Sequence, residues 1–228
     1  MALSIERRLL VDQPVTDAGL GEEVGRLRRV SFALALQPGH VDAQALTRRR
    51  TACKVRAMST VEVVVASPKE RIVFENLMQL YTHDFSEHWY DRPIGEVDHE
   101  GRFPPYALDP YWRDQDHVPL LLRTGAQIIG FALLNRVTHT DRPVDRNMAE
   151  FFVLRKHRRT GAGTTAAQAI FTRYPGMWEA AIARRNVTGL SFWRRAIGEH
   201  PLAQHIEEID LATPVWNGPV LRFRIRAR

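Results

Sequence analysis

The stretch from Phe151 to Phe171, FFVLRKHRRTGAGTTAAQAIF, sets the question that the rest of the chain has to answer. Five basic or potentially basic side chains, Arg155 to Arg159, run straight into two closely spaced glycines, Gly161 and Gly163. An apolar, strand-like run precedes the charge, and a helical pattern follows the glycines. A helix N-terminus leaves N–H groups unpaired and carries a partial positive charge. Glycine lets another molecule come close to the backbone. Strand, basic turn, glycines and helix together describe an anion site suited to phosphate groups. A solvated turn is the plainer alternative.

Both flanks read as alternating strands and helices. Val61 to Val65 has strand character, and Ser67-Pro68-Lys69-Glu70 carries the cap, proline and glutamate of a helix start. The helix ERIVFENLMQLY follows, with Ile72, Val73, Leu77 and Leu80 available for one face. Asp84 to Asp116 is irregular, and VPLLLRTGAQIIGFALLNR reads as a hairpin around Arg123-Thr124-Gly125-Ala126. A strand at 148–154, a helix at 161–174, a strand at 177–183, a helix at 187–200 and two closing strands at 205–211 and 220–226 complete the order. Such alternation predicts an α/β (α+β) fold, a mixed sheet with helices on its faces.

The bulk numbers set limits on function. With 228 residues, 44% hydrophobic and 25% charged, the chain has the balance of a soluble globular protein. No run approaches the roughly 18 apolar residues of a membrane span, and "RRLLVDQPV" is no signal-peptide core, so the expected compartment is the cytoplasm and no membrane partner is expected. One cysteine, Cys53, leaves no internal disulfide and no cysteine-based zinc site. His83, His88, His99 and His117 lack the spacing of a metal site.

The net charge of +6 is unevenly spread. Residues 1–57 hold ten Lys/Arg against six Asp/Glu, while 58–228 hold 22 against 20. The first segment reads as a poorly patterned basic extension, either non-native or disordered, with Met58 as an alternative start for the domain 58–228. A nucleic-acid partner is not expected of the nearly balanced remainder.

Three phosphate motifs compete for the glycine stretch. A Walker loop requires a Lys-Ser/Thr end that GAGTTAAQ lacks. GAGTTA fits the dinucleotide fingerprint G-x-G-x-x-A, yet five residues separate strand from glycine and no acid follows at the ribose position. The third, Arg158-Arg159-Thr160-Gly161-Ala162-Gly163, resembles the R/Q-x-x-G-x-G/A motif of the GNAT superfamily of acetyltransferases. Glu150-Phe151-Phe152-Val153, with Arg158 eight residues after the acid, and Asn186 to Trp193, similar to the family's N-x-x-A-x-x-F-Y helix, strengthen the likeness. It covers about residues 60–228.

The resemblance implies a splayed central sheet with helices on both faces, acetyl-CoA as co-substrate, and direct attack of an amine on the thioester. By it, Val153 and Arg155 would contact the pantetheine arm. Arg158, Arg159, Thr160, Gly161, Ala162, Gly163 and Thr164 would hold the pyrophosphate, with Asn186, Phe192 and Trp193 beside the arm. Glu150 would accept the amine's proton, and the Leu154 backbone N–H would face the oxyanion. A plainer role for Glu150 is an ion pair with Arg136 or Arg146. Trp193 stands where the family often has a tyrosine that protonates the leaving thiolate, and indole is no acid. The acceptor, a small-molecule or peptide amine, would bind in the stretch Asp84 to Asp116, where nine carboxylates mix with Trp89, Tyr90, Tyr106, Tyr111 and Trp112. A solvated loop with aromatics tucked into the core is the bland reading of that stretch. The alternative to an enzyme is a catalytically silent acyl-CoA-binding module. The oligomeric state, a homodimer among the options, stays open.

Overall fold

Valine-rich Val61–Val65 forms β1, an edge strand whose Val64 and Val65 remain exposed. In the computed structural model, residues 60–88, 95–214 and 216–228 are described, and they fall in one compact unit. The expected extension 1–57, with its Met58 boundary, lies outside them. A 3₁₀ turn at Pro68–Glu70 leads into α1, Arg71–Ser86. The predicted start is built as the residue types require: the Glu70 carboxylate accepts the Ser67 N–H at 2.9 Å and the Ser67 hydroxyl at 3.0 Å.

The apolar face of α1 differs from the expected one. Phe74, Leu77, Met78 and Tyr81 are buried, whereas Ile72 and Leu80 are 57% and 51% exposed. Offsets of three, four and seven residues from Phe74 trace one helical stripe. The helix also runs to Ser86, past the Asp84 where irregular structure was expected. Within the connection that follows, Pro110–Arg113 forms the short helix α2.

The hairpin comprises β2, Val118–Thr124, and β3, Gln127–Asn135, closed by Gly125-Ala126 with Gly125 at φ +57°. Then come β4 (Arg146–Val153), α3 (Ala162–Arg173), β5 (Gly176–Ala181), α4 (Val187–Gly198), β6 (Ala203–Ala212) and β7 (Asn217–Ile225). The sheet order is β1-β2-β3-β4-β5-β7-β6, antiparallel except between β4 and β5. Successive strand residues face opposite sides. Leu121, Phe131, Leu133 and Phe152 therefore pack with α1 and α2. Leu120, Ala132, Val153, Trp178 and Phe223 pack with α3 and α4 on the other face. Mixed sheet and two helical layers agree with the sequence reading.

One irregularity decides the site. Leu133 opposes Glu150 but Leu134 opposes Met148, so Ala149 is an extra residue in β4. Such a bulge places two consecutive residues on one face. Met148 lies in the α3–α4 core, while Ala149 packs in the α1 core and Glu150 reaches Tyr81 of α1.

Candidate active site

β4 and β5 are joined at only two positions, Arg146 with Trp178 and Asn147 with Glu179. Beyond them the parallel pair comes apart. The Leu154 N–H donates to the Ile129 carbonyl of β3 at 2.9 Å. Since antiparallel bonding alternates along a strand, Phe151 and Val153 turn their N–H and C=O groups the other way, into the gap that opens toward β5. This corrects the expected oxyanion donor: the Leu154 N–H is committed to the sheet, and the outward N–H groups are those of Phe151 and Val153.

The fork is anchored at its closed end. Glu179 is fully buried and accepts hydrogen bonds from the His139 N–H (2.7 Å), the Thr138 hydroxyl (3.1 Å), the Thr140 hydroxyl and Arg222 Nη1 (2.8 Å). Burial alone would raise its carboxyl, but the bonds from His139, Thr140 and Thr138 outweigh this and hold it at about 2. Beside it, Asn147 Nδ2 donates to Asn135 Oδ1 at 3.0 Å.

At the open end of the fork, β4 runs through a 3₁₀ turn, Arg155–His157, into the glycine turn. Thr160 Oγ1 donates to the His157 carbonyl at 2.8 Å, and Arg159 takes a left-handed φ of 60°. Gly161 caps α3 at φ +87° with no atom near a would-be Cβ, so backbone conformation, not space, calls for glycine there. Gly163 has the opposite reason: a Cβ would lie 3.3 Å from the Phe192 ring and 3.7 Å from Val153 Cγ2. The first helical bond is from Thr165 N to Gly161 O, leaving the N–H groups of Ala162, Gly163 and Thr164 ahead of it.

Two arginines of this turn are paired with α1. Arg155 and Arg158 both bind Asp84 in the last turn of α1, Arg155 Nη2 at 2.7 Å, and Arg158 Nε donates to the Val153 carbonyl at 2.6 Å. Burial would raise the Asp84 carboxyl, but these two bonds outweigh it and hold it below the usual range. The expectation that the Arg158 side chain faces a phosphate is not what the structure holds. It ties the turn to α1.

Glu150 pairs with neither Arg136 nor Arg146. Its carboxylate accepts the hydroxyl of Tyr81 from α1 and that of Tyr106 at 2.9 Å. Burial raises the Glu150 carboxyl above the ordinary value, opposed by the two tyrosine donors. Burial, with the Glu150 charge, pushes both phenols well above the usual tyrosine range. Tyr111, buried nearby, is raised for the same reasons. Thus Tyr106 and Tyr111, expected to line an acceptor loop, gather around Glu150, while Trp112 packs edge-on against Phe74. Trp89 and Tyr90 lie outside the described residues. The sequence reading missed Tyr81, although the spacing of Phe74, Leu77, Met78 and Tyr81 carries the signal for its burial; nothing in the sequence signals that Tyr106 meets Glu150.

The second motif divides into cap and core. Asn186 Oδ1 accepts the Gly189 N–H at 2.8 Å and starts α4, and a Cβ on Gly189 would strike the Asn186 side chain at 2.5 Å. Phe192 stacks on Phe151 with centroids 5.7 Å apart, one ring from α4 and one from β4. Trp193 is 9% exposed and meets Phe151, Phe192 and Phe171 edge-on or tilted. It is a core residue that also touches the β4 edge through Phe151.

Comparison with known proteins agrees with this architecture. The Acetyltransferase (GNAT) family matches residues 74–198. Among solved structures, an acetyltransferase from Thermus thermophilus is 14% identical over 73% of this chain and 97% of its own, with a TM-score of 0.50. A GNAT-family putative acetyltransferase from Bacteroides thetaiotaomicron is 11% identical over 73% and 88%, at 0.48. One of the GNAT family from Staphylococcus aureus is 12% identical over 72% and 98%, at 0.45. No curated protein sequence matches the chain. Among the described residues no helix is long and apolar enough to cross a membrane. With over half its length inside the family match, and a parting pair of parallel strands beside a glycine turn, this chain belongs to the acetyltransferase (GNAT) family.

Proposed function

We propose that the protein transfers an acetyl group from acetyl-coenzyme A to a primary amine of a small molecule or peptide. The observation that carries the reading is the β4 edge at Phe151 and Val153, parted from β5 and running into a glycine turn at a helix N-terminus. The residues fit the donor. The N–H groups of Phe151 and Val153 and the Phe151 carbonyl suit an amide-bearing arm, and the N–H groups of Ala162, Gly163 and Thr164 suit a diphosphate. Bound acetyl-coenzyme A would supply an acyl thioester.

The chain's own groups then have separate tasks. Glu150, with its pKa raised by burial, takes a proton from the incoming ammonium or amine, directly or through water. The Phe151 and Val153 N–H groups receive an amide or thioester carbonyl and the charge that develops on it. Arg155, Arg158 and Arg159 raise the local positive potential around the diphosphate. A thiol with a pKa near 8.5 leaves without a tyrosine acid, which position 193 does not offer.

The silent-module reading rests on that same Trp193, buried where the family often has a proton donor. Calorimetry with acetyl-coenzyme A, beside a Gly161→Glu variant, tests the donor site. Loss of binding in the variant alone supports it, and no binding by the parent removes the proposal. Thiol release in a screen of amine acceptors then separates enzyme from silent module.

A further inference from the structure

Three arginines meet at the closed end of the fork, away from the glycine turn. Arg136, Arg146 and Arg173, with Asp145, Tyr174 and Pro175, line a cavity of about 330 Å³. The elements explain the convergence. Arg136 follows β3, Arg146 begins β4, Arg173 ends α3, and Tyr174-Pro175 is the turn into β5. Both Arg146 and Arg173 lie over the Tyr174 ring, each guanidinium carbon 5.5 Å from its centroid. Stacking of this kind holds a planar fork in place and leaves its edge open to hydrogen-bond partners.

The charges of this cavity do not balance internally. Among the described residues Asp145 is the one carboxylate in the lining, and its Oδ2 already accepts the Met177 N–H at 2.7 Å. Arg136 reaches Asp116 at 3.3 Å across exposed surface. Arg146 gives Nη1 to the Asp145 backbone carbonyl, while its Nε is buried without a partner. Arg173 gives one N–H to the Val63 carbonyl at 3.3 Å. Guanidinium groups stay charged at any working pH, so crowding three of them around one engaged carboxylate costs free energy. A bound anion would recover it. An orphaned buried N–H is rare enough to point to a missing acceptor.

We propose that this cavity binds a small oxyanion, a carboxylate or phosphate group held by Arg146 and Arg173 with Arg136 at the rim. Arginine forks match both geometries with paired, charge-assisted bonds. The site is separate from the proposed donor site: Arg146 and Val153 stand at opposite ends of β4, about 23 Å apart along the strand. It does not depend on the acetyltransfer reading.

The test is a titration of the full chain with inorganic phosphate at constant ionic strength, chloride replacing it, followed by calorimetry. The glycine turn is a second place for phosphate, so a Gly161→Glu variant, blocked at that turn, runs beside an Arg146→Gln/Arg173→Gln variant. The expected result is binding that Gly161→Glu keeps and the double variant weakens at least tenfold. If the double variant loses its fold, Arg136→Gln replaces it and must weaken phosphate several-fold. No binding by the parent, loss of binding in Gly161→Glu, or parent-like binding by the cavity variants overturns the proposal.

Discussion

Asp84 and Arg158 form an ion pair that joins the last turn of α1 to the turn before α3, and Arg155 shares the same carboxylate. A carboxylate thereby occupies two of the cations that a diphosphate would attract. Removing it should favour an anionic donor. Asp84→Asn is expected to tighten coenzyme A binding up to about fivefold, the scale of a partly exposed ion pair. Calorimetry with coenzyme A at low and high salt checks this, and weaker binding in the variant would mean that Asp84 shapes the turn instead of competing for it.

Glu150 carries the second prediction. Glu150→Gln should leave coenzyme A affinity intact and lower kcat/KM by about 10²–10⁴, the range of a lost general base. In the parent, the acidic limb of kcat/KM should titrate above an ordinary glutamate, because burial disfavours its charged form. Tyr106→Phe removes a donor to that charge and should move the limb higher still. A limb that moves down in Tyr106→Phe would refute the arrangement.

Glu179 gives the third, a matter of stability. Its pKa is depressed from 4.5 to about 2, so its contribution is present above pH 4.5 and is lost as pH falls toward 2. The depression corresponds to on the order of 3 kcal/mol for this fully buried carboxylate. Urea midpoints measured between pH 5 and pH 2 should fall steeply in the parent. In Glu179→Gln the fold should be weaker at pH 7, since Arg222 is left buried without its partner, and the slope should flatten.

The glycines of the turn should fail in different ways. Gly161→Ala meets open space but must hold φ near +87°, at a cost of about 1 kcal/mol. Gly163→Ala keeps a good helical residue and instead presses on the Phe192 ring at 3.3 Å. Thermal melting should show Gly161→Ala destabilised on its own. For Gly163→Ala, a Phe192→Leu change should relieve part of the loss.

Local chemistry made much of this legible in advance. The Ser67–Glu70 cap, the Gly125 hairpin turn and the strand–turn–helix around Gly161 each follow from residues within a few positions of one another. What escaped the sequence depends on register and on distant segments. Leu154 looks like any strand end until its N–H is seen to bond Ile129. Arg158 carries the motif, yet its side chain answers to Asp84, more than seventy positions earlier. Tyr106 sits in a stretch with no periodicity, so its meeting with Glu150 is a product of the tertiary fold alone. The exposed Ile72 and Leu80 were a matter of phase on α1, a choice between two apolar stripes that Phe74 and Tyr81 settle.

The extra residue in β4 has a consequence for how such chains tolerate change. Ala149 contributes no functional group, and the ladder absorbs it: Met148 and Glu150 on either side of it oppose Leu134 and Leu133, which are adjacent on β3. Deleting it would leave the carboxylate, both tyrosines and the glycine turn in the sequence, with every motif still readable. The ladder would close over the gap, with Met148 and Glu150 as direct neighbours on opposite faces and Glu150 still turned toward α1. In this strand the facing of Glu150 survives a one-residue loss at the bulge, whereas the same loss at Phe151, in the regular part, would turn one side of the strand to the wrong face of the sheet.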